Sequence, residues 1–418
     1  MGILSTKNLN GNPIPTHNSV WKNKNYVLLF LTAVFITFGA KIYELAIPLI
    51  VYELTHSSVS MGLMSAIEFL PNMILAVFIG AYIDRVQDKK RFMLFTIFMQ
   101  AILLFALFTL MKSSYFELSY LYVIVFFLMT LNYGYYNVRF VIVKYTLPEN
   151  LFMKATANFT FTTTLLTVLG PTLVGFILMF SDITNSLLIV GVTLLVSTFL
   201  TGMLNSVKHS SDNQNNNKTN SIFMDIKNAW SEFKKLRLLW VLTWFIVVTN
   251  ATEGMFNAMI IFFAKENLHL NNSQVGFLLS FVGLGGIFGA TVLQKMRTKL
   301  GLGKIVGMCI SIMGIMYGLL FFVESFYVMC ILLFFVGLFS IVFAICIHTY
   351  RQEVTPAEYI GRIVGITGSL FKLAMPICIF SAGWIASIVS VQTVFLLSGV
   401  VNIIVFLIFI MTPIWKVE

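Results

Sequence analysis

The sequence predicts an all-α polytopic membrane protein: 12 transmembrane helices in two six-helix bundles, with both termini in the cytoplasm. Three observations predict it: a composition too apolar for a soluble surface, apolar stretches recurring at spanning length, and bases gathered on one side. Hydrophobic residues make up 58% of the chain and charged residues 11%, whereas soluble domains carry about 25% charged residues. Apolar stretches of about 20 residues, the length that crosses a ~30 Å hydrocarbon core, recur from end to end.

The elements follow in order. Residues 1–25 form a polar, Asn-rich N-terminal arm without an apolar core or a small-residue cleavage site, so no removable signal peptide is expected. The first bundle occupies 26–204, with spans near 26–53, 60–82, 92–111, 118–140, 154–180 and 184–204. Residues 205–237 make a cytoplasmic linker that starts with the polar run Asn205 to Ser221. Ile222, Phe223, Ile226, Trp230, Phe233 and Leu236 then recur at helical spacing among Lys227, Lys234, Lys235 and Arg237, the pattern of an amphipathic helix on the inner leaflet. The second bundle occupies 238–413, with spans near 238–263, 273–293, 305–323, 326–349, 362–388 and 392–413, and 414–418 is a cytoplasmic tail.

The net charge is +10, but its distribution argues against a nucleic-acid partner. The bases collect in the arm, the tail and the loops near 85–91, 144–154, 208–237, 295–304 and 351–362, while Lys112 and Lys265 lie on the other side. Excess Lys and Arg in short loops marks the cytoplasmic face, so this is a multi-pass protein of the cell membrane. Cys309, Cys330, Cys346 and Cys378 stand singly in apolar spans, without ligand spacing, and read as packing residues. No metal site is expected.

The halves repeat. Thr146-Leu147-Pro148-Glu149 precedes span 5 and Thr355-Pro356-Ala357-Glu358 precedes span 11, each with the form of a capping box carrying a first-turn Pro. Val59-Ser60-Met61-Gly62 opens span 2 as Ser273-Gln274-Val275-Gly276 opens span 8. Such repeats are expected of a transporter built from duplicated bundles.

Polar residues mark four spans. Thr37, Lys41 and Glu44 share one face of span 1, Asn132, Tyr136 and Arg139 one face of span 4, and Asn250, Glu253 and Asn257 one face of span 7. Span 10 ends in His348 and Arg351. An ionisable group at the bilayer centre costs about 2.5–3.5 kcal/mol on insertion scales, which makes Lys41, Glu44, Glu68, Glu253 and Lys372 functional candidates. Taking a carboxylate out of water favours its protonated form. Glu253, Glu44 and Glu68 are therefore the proton-coupling candidates, with Glu253 first because no base lies near it in sequence. The alternative for Glu44 is simple neutralisation by Lys41, three residues away.

The loop Gly80-Ala81-Tyr82-Ile83-Asp84-Arg85-Val86-Gln87-Asp88-Lys89-Lys90-Arg91 resembles the signature loop between spans 2 and 3 of the major facilitator superfamily. Its counterpart in the second half has decayed to Gly289-Ala290-Thr291-Val292-Leu293-Gln294-Lys295, without the acid. The resemblance implies that spans 1, 4, 7 and 10 line a central cavity. Lys41, Asn132, Tyr136, Arg139, Asn250, Asn257, His348, Arg351 and Lys372 become the substrate-cavity candidates. Gly80, Asp84, Arg85, Lys89, Lys90 and Arg91 become a gating motif, with Asp84 placed near the positive N-terminal end of span 11. In span 5, Gly170-Pro171-Thr172-Leu173-Val174-Gly175 resembles part of an exporter motif, with Val174 and Leu166 where that motif has glycines. A plain proline kink is the alternative. Exporters of this type often carry an Arg early in span 4, which Phe126 to Asn132 lack.

Within the superfamily, the loop, Leu147-Pro148-Glu149 and Phe233-Lys234-Lys235-Leu236-Arg237-Leu238-Leu239-Trp240 resemble the macrolide-efflux and enterobactin (siderophore) exporter branch. That implies a secondary exporter rather than an enzyme, using proton antiport and alternating access as a monomer in the lipid bilayer. No phosphate-binding loop is present, so the expected energy source is a proton gradient, with no cofactor. The cavity bases favour an anionic small-molecule substrate, best a carboxylate-bearing siderophore. The alternative is a macrolide or multidrug pump; an importer or a non-transport receptor ranks lower.

Overall fold

The computed structural model describes residues 19–205, 230–356 and 360–417, and long helices dominate them. The first six are α1 (Lys24–Thr55), α2 (Ser58–Arg85), α3 (Lys89–Met111), α4 (Leu118–Thr146), α5 (Glu149–Phe180) and α6 (Ile183–Gly202). They are followed by α7 (Arg237–Glu266), α8 (Asn272–Arg297), α9 (Leu302–Leu319), α10 (Phe326–Val354), α11 in two pieces (α11a, Ile360–Leu370; α11b, Met375–Ile388) and α12 (Val391–Phe409). Among the described residues, 12 helices are long and apolar enough to cross a membrane. The expected all-α, twelve-span architecture is therefore present.

Several helices overrun the expected spans, because a 30-residue helix such as α7 is about 45 Å long and outreaches a ~30 Å hydrocarbon core. Three local expectations need correction. Span 11 is discontinuous: α11a stops at Leu370, residues 371–374 turn, and α11b restarts with Pro376 in its first turn. Span 12 ends at Phe409 and the chain adds a tight turn, Pro413–Lys416, with the amide of Gly303 donating to the carbonyl of Val417 at 2.9 Å. Thr146 ends α4, its hydroxyl donating back to the carbonyl of Ile142 at 2.7 Å, and so does not cap α5. Of the expected inner-leaflet helix, 230–235 are helical and 206–229 lie outside the described residues, as do Ala357 and Glu358 of the second capping motif.

The chain forms two compact units. The first comprises Met1–Glu44, Ile74–Thr167 and Asp182–Lys218, and the second Leu45–Met73, Val168–Ser181 and Thr219–Glu418. In the first unit α3 packs against α4 and α6. In the second, α8 packs against α10, α9 against α10 and α12, and α7 against α11b and α12. The boundary falls inside α1, α2 and α5, and each of these helices has an internal proline within a turn of it: Pro48, Pro71 and Pro171. A helical proline donates no hydrogen bond to the carbonyl four residues back. For Pro48 and Pro171 those carbonyls belong to Glu44 and Thr167, the last residues of their segments in the first unit.

Glycines set the close crossings in the second unit. α2 meets α11b at Gly62 and Gly383, where a Cβ on Gly62 would lie 2.9 Å from the Cα of Gly383. α5 meets α8 at Gly175 and Gly276, where a Cβ on Gly276 would lie 2.6 Å from the Cα of Gly175. Each crossing has a hydroxyl beside it: Ser58 donates to the carbonyl of Gly383 at 2.9 Å, and Thr172 bonds Ser280. A polar clasp lies at the same end of the helices. Tyr52 donates to Glu266 at 2.7 Å, and Asn272 donates to Glu53 and accepts from Lys265, both at 2.8 Å.

Filling a backbone crossing forces the helices apart, at about 1–3 kcal/mol for overpacking. Gly276→Leu is expected to lower the thermal unfolding midpoint of the purified protein in detergent. Gly202→Leu, at a position with nothing within 4 Å, should leave it unchanged. Equal midpoints for the two variants would remove the crossing as a determinant of stability.

Candidate functional site

In the first unit the polar faces of α1 and α4 come together. Lys41 and Glu44 pair at 2.7 Å, and Tyr136 faces Thr37 within electrostatic reach of Lys41, Glu44 and Arg139. The Arg139 guanidinium lies 5.6, 5.0 and 5.0 Å from the ring centres of Tyr135, Tyr136 and Phe159. Phe159 belongs to α5 and packs edge-on to Tyr26, whose hydroxyl accepts from Asn158 at 2.9 Å. Arg139 also lines a cavity of about 280 Å³ between α4 and α5, floored by Phe140, Phe152 and Phe159 and edged by threonines. Asn132 is half-buried a little under two turns before Arg139.

In the second unit the face of α7 divides. Asn250 donates to the carbonyl of Phe371 at 3.1 Å, satisfying a group freed by the break in α11. Lys372 lies in that break, half-buried. Glu253, near the middle of α7, accepts from the hydroxyl of Ser340 on α10 at 2.9 Å and borders a crevice with Thr249, Phe343 and Asn402. No base is within ion-pair distance of it among the described residues. Asn257 is exposed, and Glu68 is half-buried on α2. Arg351 is 5% exposed and joins α10 to α11a, bonding His348 at 2.8 Å and Thr367 at 3.2 Å over the ring of Phe371.

The charged loop divides in the same way. Asp88 caps α3, accepting from the Arg91 amide at 3.0 Å and pairing with its side chain at 3.1 Å. Lys89 is buried and donates to the carbonyls of Ile83 and Val86 at the end of α2, where a cation is favoured by the helix dipole. Lys90 donates to the carbonyl of Gly202, tying in α6. Gly80, Asp84 and Arg85 belong to the α2 backbone; their side chains are outside the described residues, so the contact of Asp84 with span 11 stays an expectation. Gly170 is buried, and Pro171 and Gly175 both face Gly276 at the crossing.

Ser340, Asn402 and the cavity threonines escaped the sequence reading, since small hydroxyls and amides are common in apolar helices, where they usually bond their own backbone. A hydroxyl pairing with Glu253 requires knowing which faces of α7 and α10 meet.

An amide lost at Asn250 leaves the Phe371 carbonyl without a partner, at about 1–3 kcal/mol. Asn250→Leu should therefore lower the thermal midpoint in detergent more than Asn257→Leu, at an exposed position of the same helix. The reverse order would show that the break in α11 does not need that bond.

A sequence profile described as Major Facilitator Superfamily matches residues 29–262 and 246–414. No curated protein matches the sequence. Solved structures with the same fold include the nucleoside transporter NupG, with a TM-score of 0.72 at 12% identity over 94% of this chain and 99% of that one. A bacterial homologue of the human lysosomal transporter Spinster, inward-facing and unoccupied, gives 0.72 at 12% over 94% and 97%. A bacterial homologue of the iron transporter ferroportin, inward-facing, gives 0.71 at 13% over 96% and 100%.

Proposed function

The chain belongs to the major facilitator superfamily, and from that premise we propose that it is a proton-coupled exporter of a small carboxylate-bearing anion, a siderophore above other cargoes. It works by alternating access as a monomer in the cell membrane, with both termini in the cytoplasm and 26–204 and 238–413 as its two bundles. Low identity to the solved structures carries fold alone, so coupling, direction and cargo rest on this chain's own residues.

Glu253 carries the proposal. It is a carboxylate near the middle of a spanning helix with one hydroxyl partner and, among the described residues, no cation in reach. Leaving it charged there costs about 2.5–3.5 kcal/mol on insertion scales, and binding a proton removes that cost. Glu44 already has Lys41 as its counter-ion. Export is supported by Pro171 and Gly175, which lie at the α5–α8 crossing as a gate motif must. With the bases inside, the glycine crossings and the clasp of Tyr52, Glu53, Lys265, Glu266 and Asn272 form the closed external gate. Asp84 against the start of span 11 serves as the latch of the opposite state.

In proteoliposomes, an imposed pH gradient should accelerate transport by the wild-type protein. Glu253→Gln should lose that acceleration and keep cargo exchange at zero gradient. Full acceleration in the variant would move the proton to Glu44 or Glu68. For the cargo, a strain lacking the gene should release less siderophore into spent medium at unchanged macrolide susceptibility. Unchanged release with increased susceptibility would favour the drug-pump alternative.

A further inference from the structure

We propose that Arg139 and the threonine face of α5 form a binding subsite for a planar organic acid whose carboxylate has a neighbouring hydroxyl donor. The inference rests on the transport reading and goes further by naming the group the cavity holds.

Arg139 makes no ion pair with a carboxylate among the described residues. Its guanidinium lies over the faces of Tyr135, Tyr136 and Phe159, with the Tyr135 hydroxyl also in reach. Ring faces stabilise a cation through their quadrupole, but they do not supply the in-plane acceptors that a guanidinium fork matches, which a carboxylate does bidentately. The cavity beside it supplies the rest of the specification. Thr156 and Thr163 donate their hydroxyl protons to the carbonyls of Phe152 and Phe159, at 3.0 and 2.9 Å. Their oxygens, on the cavity wall, therefore remain as acceptors for a donor on the ligand. Phe140, Phe152 and Phe159 give the cavity flat apolar sides, with Phe140 and Phe152 edge-to-face at 5.6 Å. About 280 Å³ is at the lower edge of the ~300–1,000 Å³ of small-molecule sites. It admits a substituted ring.

The three demands, an anion, an adjacent donor and a planar body, are met together by salicylate; benzoate removes the donor alone and salicylamide the charge alone. Binding is measured calorimetrically on the purified full chain in detergent and in nanodiscs of phosphatidylcholine, with and without phosphatidylglycerol. Salicylate should bind about tenfold or more tighter than salicylamide, for the lost charge-assisted pair, and severalfold tighter than benzoate. Arg139→Gln should weaken salicylate about tenfold and abolish the preference for the anion. The double variant Thr156→Val/Thr163→Val should leave benzoate unchanged and remove the advantage of salicylate, and it decides the matter if Arg139→Gln fails to fold. No detectable salicylate binding, equal binding of the three probes, or unaltered selectivity in the variants would overturn the subsite. Salicylate binding abolished by phosphatidylglycerol would assign the cavity to a lipid headgroup and overturn it too. The same preparations in proteoliposomes separate the two proposals. Selective binding without movement of any acid sustains the subsite and overturns transport of its ligand, whereas gradient-driven transport with unselective binding overturns the subsite alone.

Discussion

Backbone crossings at glycine are the constraint on which the rest depends. Helices in lipid gain no hydrophobic drive from meeting each other, so their association depends on how closely the backbones approach. Gly62 against Gly383 and Gly175 against Gly276 bring main chains to distances that no side chain permits. α8 and α10 do the same at Gly285 and Gly337, where a Cβ would fall 1.9 Å from the carbonyl oxygens of Phe334 and Val282. Beside these contacts, α1, α4, α7 and α10 carry charge, α10 while making a crossing itself. Lys41, Glu44, Arg139, Glu253 and Arg351 all lie on those four helices.

The repeat in the sequence proved to be a repeat of these crossings. Gly62 and Gly276, matched as the openings of spans 2 and 8, each meet a glycine on another helix. The correspondence extends to the turns before them, where His56 and His269 have φ of 47° and 50° and are the described non-glycine residues with positive φ. Histidine is among the few non-glycine residues that enter the left-handed region readily. Apolar stretches of spanning length were enough for the spans. They were not enough for α11, because residues 371–374 are Phe-Lys-Leu-Ala, a string with nothing to forbid a helix. The break depends on Pro376 and on Asn250 receiving the Phe371 carbonyl, a contact 121 residues away in sequence. Thr146 misled for a related reason: a threonine hydroxyl can serve the amides ahead or the carbonyl behind, and here it serves Ile142. Lys89, placed by the sequence in the gating motif, has a stem long enough to bury against α2 and end on two carbonyls, which only the packing reveals.

The prolines connect packing to motion. Pro48, Pro71 and Pro171 each remove one backbone donor from the hydrogen-bond ladder inside helices that the two units share. A helix bends most cheaply where its ladder already lacks a rung. Glycine crossings hold one stretch of α2 and α5 in the second unit, and the prolines lie beside the point where each helix leaves it. Rigid contact and compliant joint are thus adjacent along one chain.

Charge then constrains the cycle that such joints could serve. Among the described residues, Arg139 and Glu253 are each incomplete in an opposite sense: the guanidinium has no carboxylate in ion-pair reach and the carboxylate has no base. Under the proposed antiport, cargo neutralises the first on the outward journey and a proton neutralises the second on the return. Exchanging one monoanion out for one proton in carries two positive charges inward. Each charge gains about 2.3 kcal/mol per 100 mV of inside-negative potential. The membrane potential therefore drives such a cycle alongside the pH gradient, and a neutral cargo would forfeit half of that contribution. Under that proposal, an arginine without a carboxylate partner among the described residues is what would make an anionic cargo the energetically favoured one.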